Sequence, residues 1–220
     1  MPSPKERLSH LLELAAQGAG ERAHLADEVA DLLLDWPAAY PAAMRATFEA
    51  LLEKIVGEME PAACAAIARR FAGRDDFPLS LFNALFFGAT PAMMYEILMR
   101  NDVLEPVDCA AIDSAALLHA ARTSRDFAVA LADLAGLPEG IARAILADTT
   151  GRSLAVLARA TRMARASFSA MAILAAPARS VDENFAMLGI YDAVPLNGAR
   201  HLVRLWRIRG DAATPQFAAA

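Results

Sequence analysis

The stretch Leu137–Pro177, LPEGIARAILADTTGRSLAVLARATRMARASFSAMAILAAP, decides the fold. It reads as three short amphipathic helices joined by very short turns, with no strand between them. Leu154, Leu157, Ala158 and Thr161 recur at i, i+3, i+4 and i+7, one face of a 3.6-residue helix. Arg152, Arg159 and Arg162 fall roughly opposite that face. Phe168, Met171, Ala172 and Ala175 repeat the spacing in the next helix. Ahead of both, Gly136 suits the end of one helix and Pro138 the first turn of another. Residues 148–153, DTTGRS, supply a polar joint. This is a helix–turn–helix unit used repeatedly, as in helical solenoids.

Working outward, the same plan recurs. Ser3-Pro4-Lys5-Glu6 is a capping box that opens a helix carrying Leu8, Leu11, Leu12 and Ala15. A second helix is expected from Glu21 to Trp36, and a third from Pro41 to Met59 with Met44, Phe48, Leu51, Leu52, Ile55 and Met59 as its buried stripe. Proline then punctuates the chain. Pro41, Pro61, Pro78, Pro91, Pro106, Pro138 and Pro195 each precede a helical pattern, because a fixed φ and a missing N–H fit the first turn. Pro61–Ala72 carries Cys64, Ile67 and Phe71. Pro78–Phe87 is apolar nearly all round and should be central. Thr90-Pro91 opens the helix of Met93, Met94, Ile97 and Leu98. Pro106–Arg122 should follow with Ile112, Ala115, Ala116 and His119, and Thr123-Ser124 should start a helix bearing Phe127, Ala130, Leu131 and Leu134. Ser180-Val181-Asp182-Glu183 is another capping box, before Phe185, Leu188 and Tyr191. The last helix places Ala199, Leu202, Val203 and Trp206 inward and Arg200, Arg204 and Arg207 outward.

Composition agrees with the pattern. Of 220 residues, 56% are hydrophobic and only 7% aromatic. About a quarter are alanine, the best helix former. The expected fold is all-α, an irregular HEAT-like helical repeat or α-solenoid of about 11–13 short helices. It is read as a single domain over residues 1–210, with an acidic half 1–106 and a mildly basic half 107–210, and a flexible tail at 211–220. Residues 1–106 hold 16 acidic and 9 basic side chains; residues 107–220 hold 10 and 12. The net charge of −5 disfavours wholesale nucleic-acid binding. The longest uncharged run, Phe77–Tyr95, contains Pro78, Asn83, Gly88 and Pro91, which argues against a membrane span. No apolar signal core opens the chain, so a cytoplasmic location is expected. Cys64 and Cys109 lack metal-type spacing and read as buried thiols.

Part of the chain resembles a known family. The residues that carry the resemblance are AGLPEGIARAIL (135–146), SLAVLARATRMARASFSAMAIL (153–174) and LGIYDAVPLNGARHLVRLW (188–206). They resemble a bacterial family of HEAT-like helical proteins known as domain of unknown function 2336. The Tyr191-Asp192 turn followed by an arginine-and-tryptophan helix is the most specific part. The resemblance implies a HEAT-like all-α fold. It implies no activity, no cofactor and no transferable functional residue.

The residues offer little chemistry. There is no Gly-rich phosphate loop, no H-E-x-x-H and no G-x-S-x-G. His10, His24, His119 and His201 are far apart and read as surface or boundary side chains. Asp75-Asp76 and DTTGRS read as capped turns before they read as ion sites. No metal, cofactor or catalytic set is implied. The main expectation is therefore a non-enzymatic cytoplasmic scaffold that binds a protein through a helical-repeat surface. Its expected partner face is Arg152, Arg159, Arg162 and Arg165, solvated and unpaired if the helix runs on through Met163. Arg122, Arg125 and Arg143 stand nearby in sequence. Such a face suits an acidic or phosphorylated partner. The alternative is an accessory of phosphorelay signalling using His10, although no cation at the next turn would steady a phosphate there.

Overall fold

The structure is a computed structural model that describes residues 22–175 and 180–211, without the side chains of residues 61 and 209–211. The described residues contain twelve α-helices, one 3₁₀ turn and no strand. The expected first helix at Ser3, His10 and residues 212–220 lie outside them. Asp211, expected to begin a tail, instead closes the last helix. The chain divides into two compact units, Met1–Met93 and Met94–Ala220.

The described part of the first unit holds α1 (Arg22–Leu34), α2 (Ala42–Gly57), α3 (Pro61–Phe71), α4 (Leu79–Ala84) and the 3₁₀ turn Phe86–Gly88. α1 packs on α2 and α3, α2 on α4, and α3 on the 3₁₀ turn. Leu81, Phe82, Leu85 and Phe86 are buried, as the apolar run 78–87 requires. Gly88 is needed for closeness: a Cβ there would collide with the backbone of Ala65 in α3. The stripe of α2 narrows to Phe48, Leu52, Ile55 and Val56, with Met44, Leu51 and Met59 half-buried. Trp36 lies past the end of α1 and meets Tyr40 and Phe48 edge-on.

α5 (Pro91–Asp102) carries the unit boundary. Thr90 Oγ1 accepts from Met93 N at its start. The second unit then continues with α6 (Ser114–Thr123), α7 (Phe127–Ala135), α8 (Glu139–Ala147), α9 (Arg152–Ala160), α10 (Arg165–Ala175), α11 (Val181–Ala193) and α12 (Leu196–Asp211). α8, α9 and α10 are the three helices read from 137–177. α9 packs against α8, α10, α11 and α12, so it is the centre of this unit. Ser153 through Ala158 and Ala160 are all buried. Only Arg152 and Arg159, both half-buried, reach solvent from α9, so the polar face expected there is narrowed to these two side chains.

Capping explains most boundaries. α7 ends in a Schellman motif: Gly136, at φ 62°, donates to Asp133 O, and Leu137 N donates to Ala132 O at 2.9 Å. α9 ends the same way, with Met163 N to Ala158 O at 2.9 Å and Arg162 N to Arg159 O at 3.3 Å. Here the left-handed position is held by Arg162, at φ 59°. Ser180 and Glu183 form the expected capping box of α11. Two expected starts are displaced. Pro106 opens no helix; α6 begins at Ser114, where Asp113 Oδ1 accepts from Ala115 N and Ala116 N. α7 begins after Asp126, whose carboxylate caps Ala128 N and Val129 N, so Thr123 and Ser124 are not its cap. The inward faces shift with these starts, to Leu117 in α6 and to Ala128, Leu131, Ala132 and Ala135 in α7.

Candidate functional site

The four arginines of the expected partner face do not form one stripe. α9 stops at Ala160, Arg162 stands in the turn and Arg165 opens α10. Nor are they all unpaired. Arg162 Nη2 lies 2.9 Å from Asp108 Oδ1, and Arg165 Nη2 lies 3.0 Å from Asp192 Oδ2. Asp192 pushes the pKa of Arg165 up, chiefly through its hydrogen bond. Arg159 is half-buried; its guanidinium sits 5.4 Å from the Tyr191 ring centroid, and its Nε donates to Val194 O. Neither Arg159 nor Arg152, which is also half-buried, makes an ion pair among the described residues. The physical reason is that α9 ends at Ala160, and the left-handed turn at Arg162 redirects the chain into α10 before the helix can run on through Met163. Arg143, expected nearby, is bound to Asp126 and Glu139.

Arg159 and Arg165 help build the joint around Tyr191. The Tyr191 hydroxyl donates to Met163 O at 2.6 Å, and its ring stacks on Phe168 with centroids 4.8 Å apart. The resemblance had marked Tyr191-Asp192 as specific, and the pair ties α9, α10 and α11 together. The DTTGRS turn is equally self-contained. Asp148 Oδ2 accepts from Ser153 N and Ser153 Oγ, and Oδ1 from Thr150 N and Thr150 Oγ1, at 2.6–2.9 Å. The chain's own carboxylate fills the N-terminus of α9. Asp76 is held by Arg45 and Arg74, both stacked over Phe77, and caps no helix. Cys64 and Cys109 are buried and in no disulfide. Burial pushes the Cys109 thiol up, against the pull of Arg207 and Arg200. His24 and His119 are exposed, and His201 is half-buried against a backbone carbonyl.

What stands out on the second unit is an apolar row along α5 and just past its end. Tyr95, Met99 and Val103 recur at i, i+4 and i+8 and are 49%, 41% and 84% exposed. Leu104 follows at 41%. Asn197 Nδ2 donates to Leu104 O at 2.8 Å, which brings Leu196, 39% exposed, to the end of the row. α12 starts here at close range: Gly198 N donates to Asp102 Oδ1, and a Cβ on Gly198 would collide with Leu98 O. Further along α12, Arg200 and Arg204 make no ion pair among the described residues, and Ile208 is half exposed. The sequence signal for the row was present. α5 is apolar on the face of Met93, Met94, Ile97 and Leu98 and again on the opposite one; only the first face was needed for the core.

Compared with protein-family models, with curated proteins and with solved structures, the chain finds no match. Among the described residues no helix is long and apolar enough to cross a membrane.

Proposed function

We propose that this chain is a non-enzymatic, HEAT-like helical scaffold that binds a partner protein, allied to the bacterial domain-of-unknown-function family 2336 and working in the cytoplasm. The HEAT-like reading is supported by short helices, of which α1 packs on α2 and each of α6 through α10 packs on the next in the chain. The observation that carries the binding reading is the exposed row Tyr95–Met99–Val103–Leu104, with Leu196 beside it. Contiguous apolar side chains left in water mark interaction surfaces. Tyrosine and methionine add area at modest entropic cost and adapt to a partner's shape. Arg200 and Arg204 lie beyond the start of α12 without carboxylate partners, so the complementary surface is apolar with an acidic or phosphorylated flank.

The test is capture from extract of the native host, wild type against Tyr95→Glu with Met99→Glu, read by quantitative mass spectrometry. The protein recovered by the wild type should fall by about tenfold or more with the variant, because charges would be driven into an apolar contact. Circular dichroism should be unchanged, since both side chains point to solvent. Equal recovery by the two proteins would refute the row as the binding surface.

A further inference from the structure

Residues 103–113, VLEPVDCAAID, form no regular structure, yet one helix holds their backbone in place. The side chains that bond this backbone come from α12. Asn197 Nδ2 donates to Asp102 O at 3.0 Å and to Leu104 O at 2.8 Å, and Asn197 Oδ1 accepts from Val107 N at 3.4 Å. His201 Nε2 lies 2.7 Å from Glu105 O. Arg207 Nη2 donates to Ala110 O at 3.4 Å, and Nη1 to Cys109 Sγ at 3.2 Å. Asn197, His201 and Arg204 fall at i, i+4 and i+7, one row along the helix. Arg204 is exposed and has no ion pair among the described residues.

The segment contributes little burial of its own. Val103, Leu104, Glu105, Pro106 and Asp108 are exposed; only Cys109 and Ile112 are buried. Its grip on the fold is thus backbone-directed, and backbone carbonyls are common to every extended chain. Its charge is also complementary: Glu105 and Asp108 lie along a helix that presents His201, Arg204 and Arg207, and Asp108 pairs with Arg162. Segments with few buried contacts open locally at a fraction of the global free energy.

We propose that the row Asn197–His201–Arg204 is a clamp for an extended acidic peptide, and that residues 103–108 are its internal occupant, displaced when a partner's segment of the same kind binds. This rests on the scaffold reading above and names its partner class. The occupant is covalently tethered, so it competes at an effective concentration that a free peptide must overcome. A partner segment that also covers Tyr95 and Met99 gains the apolar row, which begins where the clamp ends.

The experiment uses the full chain and a fluorescent peptide reproducing residues 102–108, DVLEPVD, read by anisotropy. Val103→Gly with Pro106→Gly loosens the occupant through its entropy while leaving α12 intact, because both side chains are exposed. That variant should bind the peptide about tenfold more tightly than the wild type. Adding Asn197→Ala should abolish the gain. A glycine variant that binds no better, or a gain that survives Asn197→Ala, overturns the clamp. If circular dichroism shows that the glycine variant has unfolded, hydrogen exchange on the wild type decides. The amides of Glu105 and Val107 should exchange about tenfold or more faster than those of Leu202 and Val203. Equal rates would mean that the segment opens only with the whole unit, and would overturn displacement. Tyr95→Glu with Met99→Glu should leave peptide binding in place. Loss of the clamp with partner capture retained therefore sinks this inference and leaves the scaffold reading standing.

Discussion

At the scale of single residues, the molecule uses side chains where a turn would usually take glycine. Gly136 and Arg162 occupy the same place in two Schellman motifs, at φ 62° and 59°. For an L-residue with a Cβ, the left-handed region costs on the order of 1–2 kcal/mol. Arg162 is offset by its bond to Asp108, but both partners are exposed, so that pair contributes at most about 1 kcal/mol. Arg162→Gly should therefore be neutral to stabilising, by up to about 1 kcal/mol in urea denaturation. A loss of more than about 1 kcal/mol would mean that the ion pair outweighs the strain.

Asp76 gives the pH dependence. The hydrogen bonds from Arg74 and then Arg45 hold its carboxyl well below the usual carboxylate range, against the opposite push of burial. A depressed pKa contributes stability that is present above the unfolded value, near 3.9, and is lost as pH falls through the folded one. Acid should weaken the first unit below about pH 4, and Asp76→Asn should both lower its stability at neutral pH and flatten that acid limb. An unchanged acid limb in the variant would place the titration elsewhere. Little of this residue-scale chemistry was legible in the sequence. Asp76 has no neighbour in the chain that announces Arg45, 31 residues away. The capping box at Ser180 was legible because its partners are three residues apart.

At the scale of elements, periodicity located the helices and missed what surrounds them. The spacing in α9 correctly put Leu154, Leu157, Ala158 and Thr161 inside. It also put Arg152 and Arg159 outside; they are the two residues of α9 that are not buried, but four helices close around α9 and leave both only half-exposed. A period reports one apolar face and cannot say whether the other is covered. Pro106 failed for a related reason. Proline fits a first helical turn, but it also fits extended chain, and the side chains that hold 103–113 extended lie some 90 residues away on α12. Trp206 was legible as the anchor of α12: it is 1% exposed. Trp206→Ala should cost about 3 kcal/mol or more, read by chemical denaturation of the second unit. A change within error would mean that α12 does not depend on this contact.

At the scale of the whole molecule, the fold class was legible and the surface was not. Each of the twelve described helices overlaps a stretch read as helical, with α6 and α12 running one residue past it, because alanine-rich amphipathic patterns leave no competing period. The binding surface needed the structure. Exposure of Tyr95 and Met99 depends on which face of α5 the rest of the unit covers, and arginines that looked solvated became internal ties once Asp108 and Asp192 came near. On the reading proposed above, this uncovered face of α5 is where a partner protein sits. The most direct measurement places a photoreactive amino acid at Met99 in living host cells, with a second protein carrying it at Val129. Val129 is an apolar position of similar exposure, at 39% against 41%. A discrete crosslinked protein should form from position 99 and none from position 129. Crosslinking at 129 alone, or at neither position, would contradict it.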